Sequence, residues 1–138
     1  MKKNSNLRQN SFGQTVEEIR EHATFEYRNH NYSSAIHLWT LAANQGDAHA
    51  QYYMGLCYLD GHSVQQSYQT AAEWFQLAAN QGLSAAQYNL GVSYEFGNGV
   101  PKSCPTAIEW YEKAAKKGST AAKIALKRLN VWRSPNSN

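Results

Sequence analysis

Lysine and arginine are missing from residues 29 to 101, which carry only four acids, Asp47, Asp60, Glu73 and Glu95. That gap excludes a uniformly basic surface. From Lys102 onward eight basic residues accompany Glu109 and Glu112, so the middle of the chain is −4 and its last quarter +6. The net +3 is therefore a charge gradient. Only two cysteines occur, Cys57 and Cys104, too few for a disulfide framework, and two reduced thiols are expected. No apolar run approaches the roughly 18 to 20 residues that a membrane-spanning helix needs. The start, Met1 to Asn10, has a basic opening with no apolar segment after it, so no signal peptide is expected. A cytoplasmic location is the default, with a non-classical secretion route as the alternative. Charged residues are scarce, 17% against about 25% in average proteins. With four Trp, nine Tyr and four Phe also present, wholesale disorder is disfavoured. A chain of 138 residues fits one domain and can bury roughly two thirds of its unfolded surface.

What the chain does have is a repeat with a step of 36. Gly46, Gly82 and Gly118 keep it, as do Ala35, Ala71 and Ala107, and the pairs Ala42-Ala43, Ala78-Ala79 and Ala114-Ala115. Trp39, Phe75 and Tyr111 are aromatic at equivalent places. The run Ala50-Gln51-Tyr52-Tyr53-Met54-Gly55 aligns with Ala86-Gln87-Tyr88-Asn89-Leu90-Gly91. A period in this range encodes stacked supersecondary units.

Each unit reads as two helices. Ala71 to Ala79 places apolar residues at steps of three and four, and Gly82 follows as a left-handed stop. A second helix is expected over Ser84 to Phe96, broken by Gly97-Asn98-Gly99-Val100-Pro101. Nothing reads as a strand. The small residues are expected where helices cross closely. Gly inside a helix costs about 1 kcal/mol against Ala, so Gly55 and Gly91 need a packing reason. Their third copy is Lys127, as fits a capping helix over about Thr120 to Val131 with no partner beyond it. The first unit has a shorter connection, and its first helix is expected over Thr15 to Asn29. Units of about 15–46, 47–82 and 83–118 and a cap at 119–131 follow, with flexible segments at 1–14 and 132–138.

The motif Ala-Gln-Tyr-x-Leu/Met-Gly-x-x-Tyr-x-x-Gly, followed later by Ala-x-x-Trp-Phe/Tyr-x-x-Ala-Ala-x-x-Gly, spans Ala50 to Gly82 and again Ala86 to Gly118. It resembles the Sel1-like repeat (SLR) family, a branch of the tetratricopeptide superfamily; the opening unit looks more like an ordinary tetratricopeptide unit. The resemblance implies an all-α fold, a right-handed α-α superhelix of about three helix-turn-helix repeats with a C-terminal cap. It also implies a groove lined by the first helix of each unit, and a scaffold or adaptor that holds a protein or peptide partner. In that register the inward-facing residues are His49, Tyr52, Tyr53, Leu56, Leu59 and Asp60 on the second unit. On the third they are Ala85, Tyr88, Asn89, Val92, Glu95 and Phe96, and the cap adds Ile124 and Arg128. Tyr52, Tyr88 and Phe96 are the candidate anchors, and Asn89 matches a position that often holds a ligand backbone. Tyr58 and Tyr94 are assigned to packing.

Signs of chemistry are few. No H-E-x-x-H, C-x-x-C, S-x-x-K, G-x-S-x-G or P-loop pattern occurs, and no cofactor or metal is expected. Gly97-Asn98-Gly99 is half of a dinucleotide fingerprint without a preceding strand. The five histidines, His22, His30, His37, His49 and His62, show no metal-ligand spacing. Asp60 and Glu95 are expected as solvated or peptide-contacting carboxylates. The basic residues from Lys113 to Arg133 read as a polar solenoid cap, with an acidic partner as the lesser reading. Nucleic acid is disfavoured, since stacking aromatics there are sparse beyond Trp132. Some cysteine-rich relatives carry paired cysteines in each unit and an attached β-lactamase-type activity. That pairing is missing here, so a hydrolase is the alternative to a noncatalytic module, and a self-associating structural piece is a third. The second and third units lack Lys and Arg on their first helices, so the carboxylate grip of chaperone-binding relatives is not expected.

Overall fold

The computed structural model describes residues 13–131. Among these, seven α-helices follow one another: α1 Val16–Arg28, α2 Tyr32–Asn44, α3 Ala48–Asp60, α4 Tyr68–Asn80, α5 Ser84–Phe96, α6 Cys104–Lys116 and α7 Thr120–Arg128. Each packs on its neighbours in the chain, so the helices pile up as successive hairpins. The fold is an all-α solenoid, with no strand among the described residues.

Local chemistry sets the helix limits. Thr15 caps α1 through a capping box: it accepts from the Glu18 amide at 3.2 Å while the Glu18 carboxylate accepts from the Thr15 amide at 3.4 Å. Asp47 accepts from the Ala50 amide at 2.8 Å, and Ser67, Ser103 and Ser119 cap α4, α6 and α7 in the same way. The second helix of each hairpin ends where Gly46, Gly82 and Gly118 turn left-handed, with φ of 93°, 92° and 95°. The residue after each glycine donates its amide to the carbonyl five places back, on Ala42, Ala78 and Ala114. Helix α5 covers the span expected for it. Helix α1 is one residue shorter at each end than expected, because Thr15 and Asn29 serve as caps. The cap helix α7 stops at Arg128 rather than Val131, since Asn130 turns left-handed at φ 60°. The flexible segments expected at 1–14 and 132–138 lie outside the described residues except for Gly13 and Gln14.

The core repeats as the sequence does. Ala35, Ala71 and Ala107 are buried, and the aromatic series Trp39, Phe75 and Tyr111 fills the space between hairpin arms. The helical glycines have the packing reason their cost demanded. A Cβ on Gly55 would stand 2.5 Å from the Phe75 ring, and one on Gly91 would stand 2.6 Å from the Tyr111 ring. Lys127, the third copy, is exposed.

Adjacent hairpins are also tied by hydrogen bonds that the repeat duplicates. Gln51 and Gln87, both buried, donate to the carbonyls of Ala43 and Ala79. Gln81 donates to Gly46 O at 2.8 Å, and Lys117, 36 positions on, donates to Gly82 O.

Candidate functional site

The first helices of the hairpins, α1, α3, α5 and α7, share two cavities. One, of about 380 Å³, is walled by Tyr52 on α3, Ala85, Tyr88 and Asn89 on α5, Lys117 at the end of α6, and Ser119 and Ala121 at the start of α7. The other, of about 310 Å³, lies between α1 and α3 and is lined by Tyr27, Arg28, Trp39, Tyr53, Leu56, Cys57, Asp60 and His62. A third hollow joins Arg20, Arg28, His49 and Tyr53 along the same face.

The sequence-derived site residues therefore separate into groups. Tyr52, Tyr88 and Asn89 come together in the first cavity. Burial and the neighbouring Tyr53 push the Tyr52 phenol up, while a hydrogen bond from the Asn89 amide pulls it back. Tyr53, Leu56 and Asp60 line the second cavity, where Tyr53 stacks on Trp39 with centroids 4.9 Å apart. His49 faces Arg20, its Nδ1 3.0 Å from the guanidinium, which also pairs with Asp47 at 3.1 Å. Val92 and Leu59 are half-buried and belong to the core. Phe96 is 59% exposed but lines neither cavity, so it is not joined to Tyr52 and Tyr88 as one cluster. Ile124 is likewise exposed, on α7.

Glu95 departs from its expected place. A solvated or ligand-contacting carboxylate does not describe it: the residue is 5% exposed. Its two oxygens accept from Arg128 at 2.6 and 2.8 Å, and Oε2 accepts from the Tyr111 hydroxyl at 3.2 Å. Burial, and then the adjacent Glu95 charge, push the Tyr111 phenol far up. The hydrogen bond to Glu95 likewise pushes Arg128 up. The reason is register. One repeat earlier the same three positions are Leu59, Phe75 and Val92, all apolar. The last unit fills that place with a hydrogen-bonded ionic group instead. Asp60, one residue out of register with Glu95, stays exposed.

Sequence reasoning missed the contribution of α1. Tyr27 and Arg28 precede the first recognisable copy of the motif, yet they wall the second cavity. Aligning α1 on α3 would have put them level with Leu59 and Asp60. Basic groups do reach this face, but from its flanks: Arg20 and Arg28 on α1, Lys117 after α6 and Arg128 on α7. Cys57 is buried, and desolvation followed by the Asp60 charge pushes its thiol up to about 11. Cys104 is exposed, and both thiols are free. Among the described residues no three His, Cys, Asp or Glu side chains gather as a metal site, and no helix is long and apolar enough to cross a membrane.

A pile of helix hairpins with a hollowed face of first helices defines an α-solenoid repeat protein. The Sel1 repeat model matches residues 27–47, 48–83 and 84–119, so the chain belongs to the Sel1 repeat family. It is similar to a Sel1 repeat protein from Oxalobacter formigenes, with 32% identity, a TM-score of 0.77 and 81% of this chain covered. A protective antigen of uropathogenic Escherichia coli strains, displaying an SLR fold, matches at 29% identity and a TM-score of 0.79 over 83% of this chain. Cysteine rich protein B of Helicobacter pylori shares the fold at 23% identity and a TM-score of 0.63, over 65% of this chain and 68% of its own. The matched region is 46% of the Oxalobacter protein and 25% of the Escherichia antigen. No functionally curated protein matches the chain.

Proposed function

We propose that this chain is a noncatalytic binding module that holds a segment of another protein against the face formed by α1, α3, α5 and α7. The observation that carries this is the cavity around Tyr52, Tyr88 and Asn89. It is open, flanked by aromatic rings that the core leaves half-buried, and provided with amide, hydroxyl and ammonium groups. Rigid aromatics beside a few polar groups are the usual material of interface hot spots. The noncatalytic reading draws support from how the acids are used. Glu95 is tied to Arg128 and Tyr111, and Asp47 to Arg20 and the Ala50 amide, which suits structure better than proton transfer. The buried thiol of Cys57 keeps its proton at neutral pH, a poor nucleophile.

The test is affinity capture from the source organism, with the wild type compared with Tyr88→Ala/Asn89→Ala and with Leu77→Ala. Leu77 is 48% exposed on α4, away from the two cavities. Partners recovered by wild type and Leu77→Ala but lost from the double variant support the groove. Equal recovery by all three, with helical circular dichroism unchanged, overturns it.

A further inference from the structure

Four of the nine residues lining the cavity between α1 and α3 carry rings, Tyr27, Trp39, Tyr53 and His62, and Tyr32 packs against two of them. Trp39 stacks on Tyr53 and meets Tyr27 at 5.3 Å; Tyr27 meets Tyr32 at 5.1 Å and His62 at 6.2 Å; Tyr32 meets His62 at 5.4 Å. Trp39 is 2% exposed, and its indole N–H finds no acceptor among the described residues. Asp60 stands on the lining, exposed, with no cation in ion-pair range among the described residues. Its position works against its own helix. It is the last residue of α3, where the helix carbonyls already gather partial negative charge. Asp60 also faces the ring cluster: burial raises the Tyr27 phenol first, and the Asp60 charge is among the neighbours that raise it further.

Apart from the core ring at the Trp39 position, none of this recurs in the next unit. The positions of Trp39, Tyr53, Asp60 and His62 are taken there by Phe75, Asn89, Phe96 and Asn98. Ring faces carry negative charge density and attract cations within about 6 Å, most strongly where water is reduced. Arg28 is the competing charge. It stands on α1 in the same lining and repels a cation, which leaves the Asp60 end on α3 as the favourable one. The stretch around the cavity, residues 29 to 101, has four acids and no Lys or Arg, and so complements a basic partner.

We propose that this cavity receives a lysine or arginine side chain of the bound segment, with aromatic faces around the cation and the Asp60 carboxylate as its counter-charge. The inference rests on the binding-module reading and adds what the partner presents. It also accounts for a carboxylate kept at an unfavourable helix end.

The test needs no natural partner. The full chain is titrated, with the assigned Trp39 indole N–H signal as reporter, against N-acetyl-lysine methylamide, N-acetyl-arginine methylamide and the neutral N-acetyl-norleucine methylamide. A saturable shift with the lysine or the arginine probe, at least tenfold weaker with norleucine and weakened by 0.5 M salt, is expected. Asp60→Asn should lose at least fivefold in cation affinity while raising the melting temperature, since it relieves the helix end. Norleucine binding as well as the cations, no movement of the Trp39 signal with any probe, or undiminished affinity in Asp60→Asn overturns the proposal. A flat titration beside partner loss in Tyr88→Ala/Asn89→Ala sinks this cavity alone. Saturable cation binding beside unchanged partner recovery sinks the wider groove reading instead.

Discussion

At the scale of single residues, the packing glycines are the most exacting positions. Gly55→Ala gains about 1 kcal/mol of helix propensity but drives a methyl into the buried Phe75 ring. Overpacking of this kind typically costs about 1 to 3 kcal/mol, so a net loss of about 1 kcal/mol is expected in urea unfolding. Adding Phe75→Leu should recover part of that loss, whereas the same leucine change alone is destabilising. Cys57 makes a second residue-scale prediction. Its thiol ionises near 11 when folded, against 9.0 as the reference value for a free thiol. Between those values the unfolded chain loses the proton and the folded chain keeps it. The stability from this group is therefore whole below about pH 9 and lost as the pH climbs toward 11, by about 2 kcal/mol. Unfolding midpoints from pH 8 to 10.5 should fall more steeply for wild type than for Cys57→Ala. Iodoacetamide at pH 8 should label the exposed Cys104 and spare Cys57 until denaturant is added.

At the scale of elements, α7 is the informative one. It is nine residues long, too short to hold helical form without tertiary contacts. Its apolar anchors are Ala122, Ala125 and Leu126, and its polar anchor is the pair between Arg128 and Glu95. Arg128→Ala strands a buried carboxylate, and faster amide exchange confined to α7 and the end of α5 is expected. Replacing the whole group by its counterparts from the preceding repeat, Glu95→Leu with Tyr111→Phe and Arg128→Val, should preserve the melting temperature or raise it. Only Glu95 of the pair is buried, Arg128 being half exposed, and well-packed apolar residues often match or exceed a pair that buries a charge. A triple variant less stable than Arg128→Ala would show that the ionic group is required in itself. The aligned glutamines do comparable work between hairpins. Gln81→Ala removes two hydrogen bonds, to Gly46 and Gln51, and should cost about 1 to 2 kcal/mol.

At the scale of the whole molecule, stability is largely a sum of neighbour contacts, because each helix packs mainly on those beside it in the chain. Protection against hydrogen exchange should therefore be highest in α3, α4 and α5 and decline toward α1 and α7. Uniform protection from end to end would instead indicate a single cooperative unit. The charge gradient also acts at this scale. The −4 stretch supplies most of the aromatic cavity and the basic quarter forms the far end, so the two ends of the stack carry opposite potentials.

The sequence by itself determined the repeat, its hairpins and most of their limits. Glycine, alanine and the cap residues act locally, and a step of 36 copies that local logic three times. It also put Tyr52, Tyr88 and Asn89 on one face, through the register that the resemblance to the repeat family implies. What only the tertiary structure decided is how different units combine. Glu95 is buried because Arg128, from another helix, reaches back to it. The ring-lined cavity exists because Tyr27, near the end of α1, meets Trp39 and His62 across the stack. Contacts between elements depend on packing distance and side-chain reach, and a one-dimensional period contains neither.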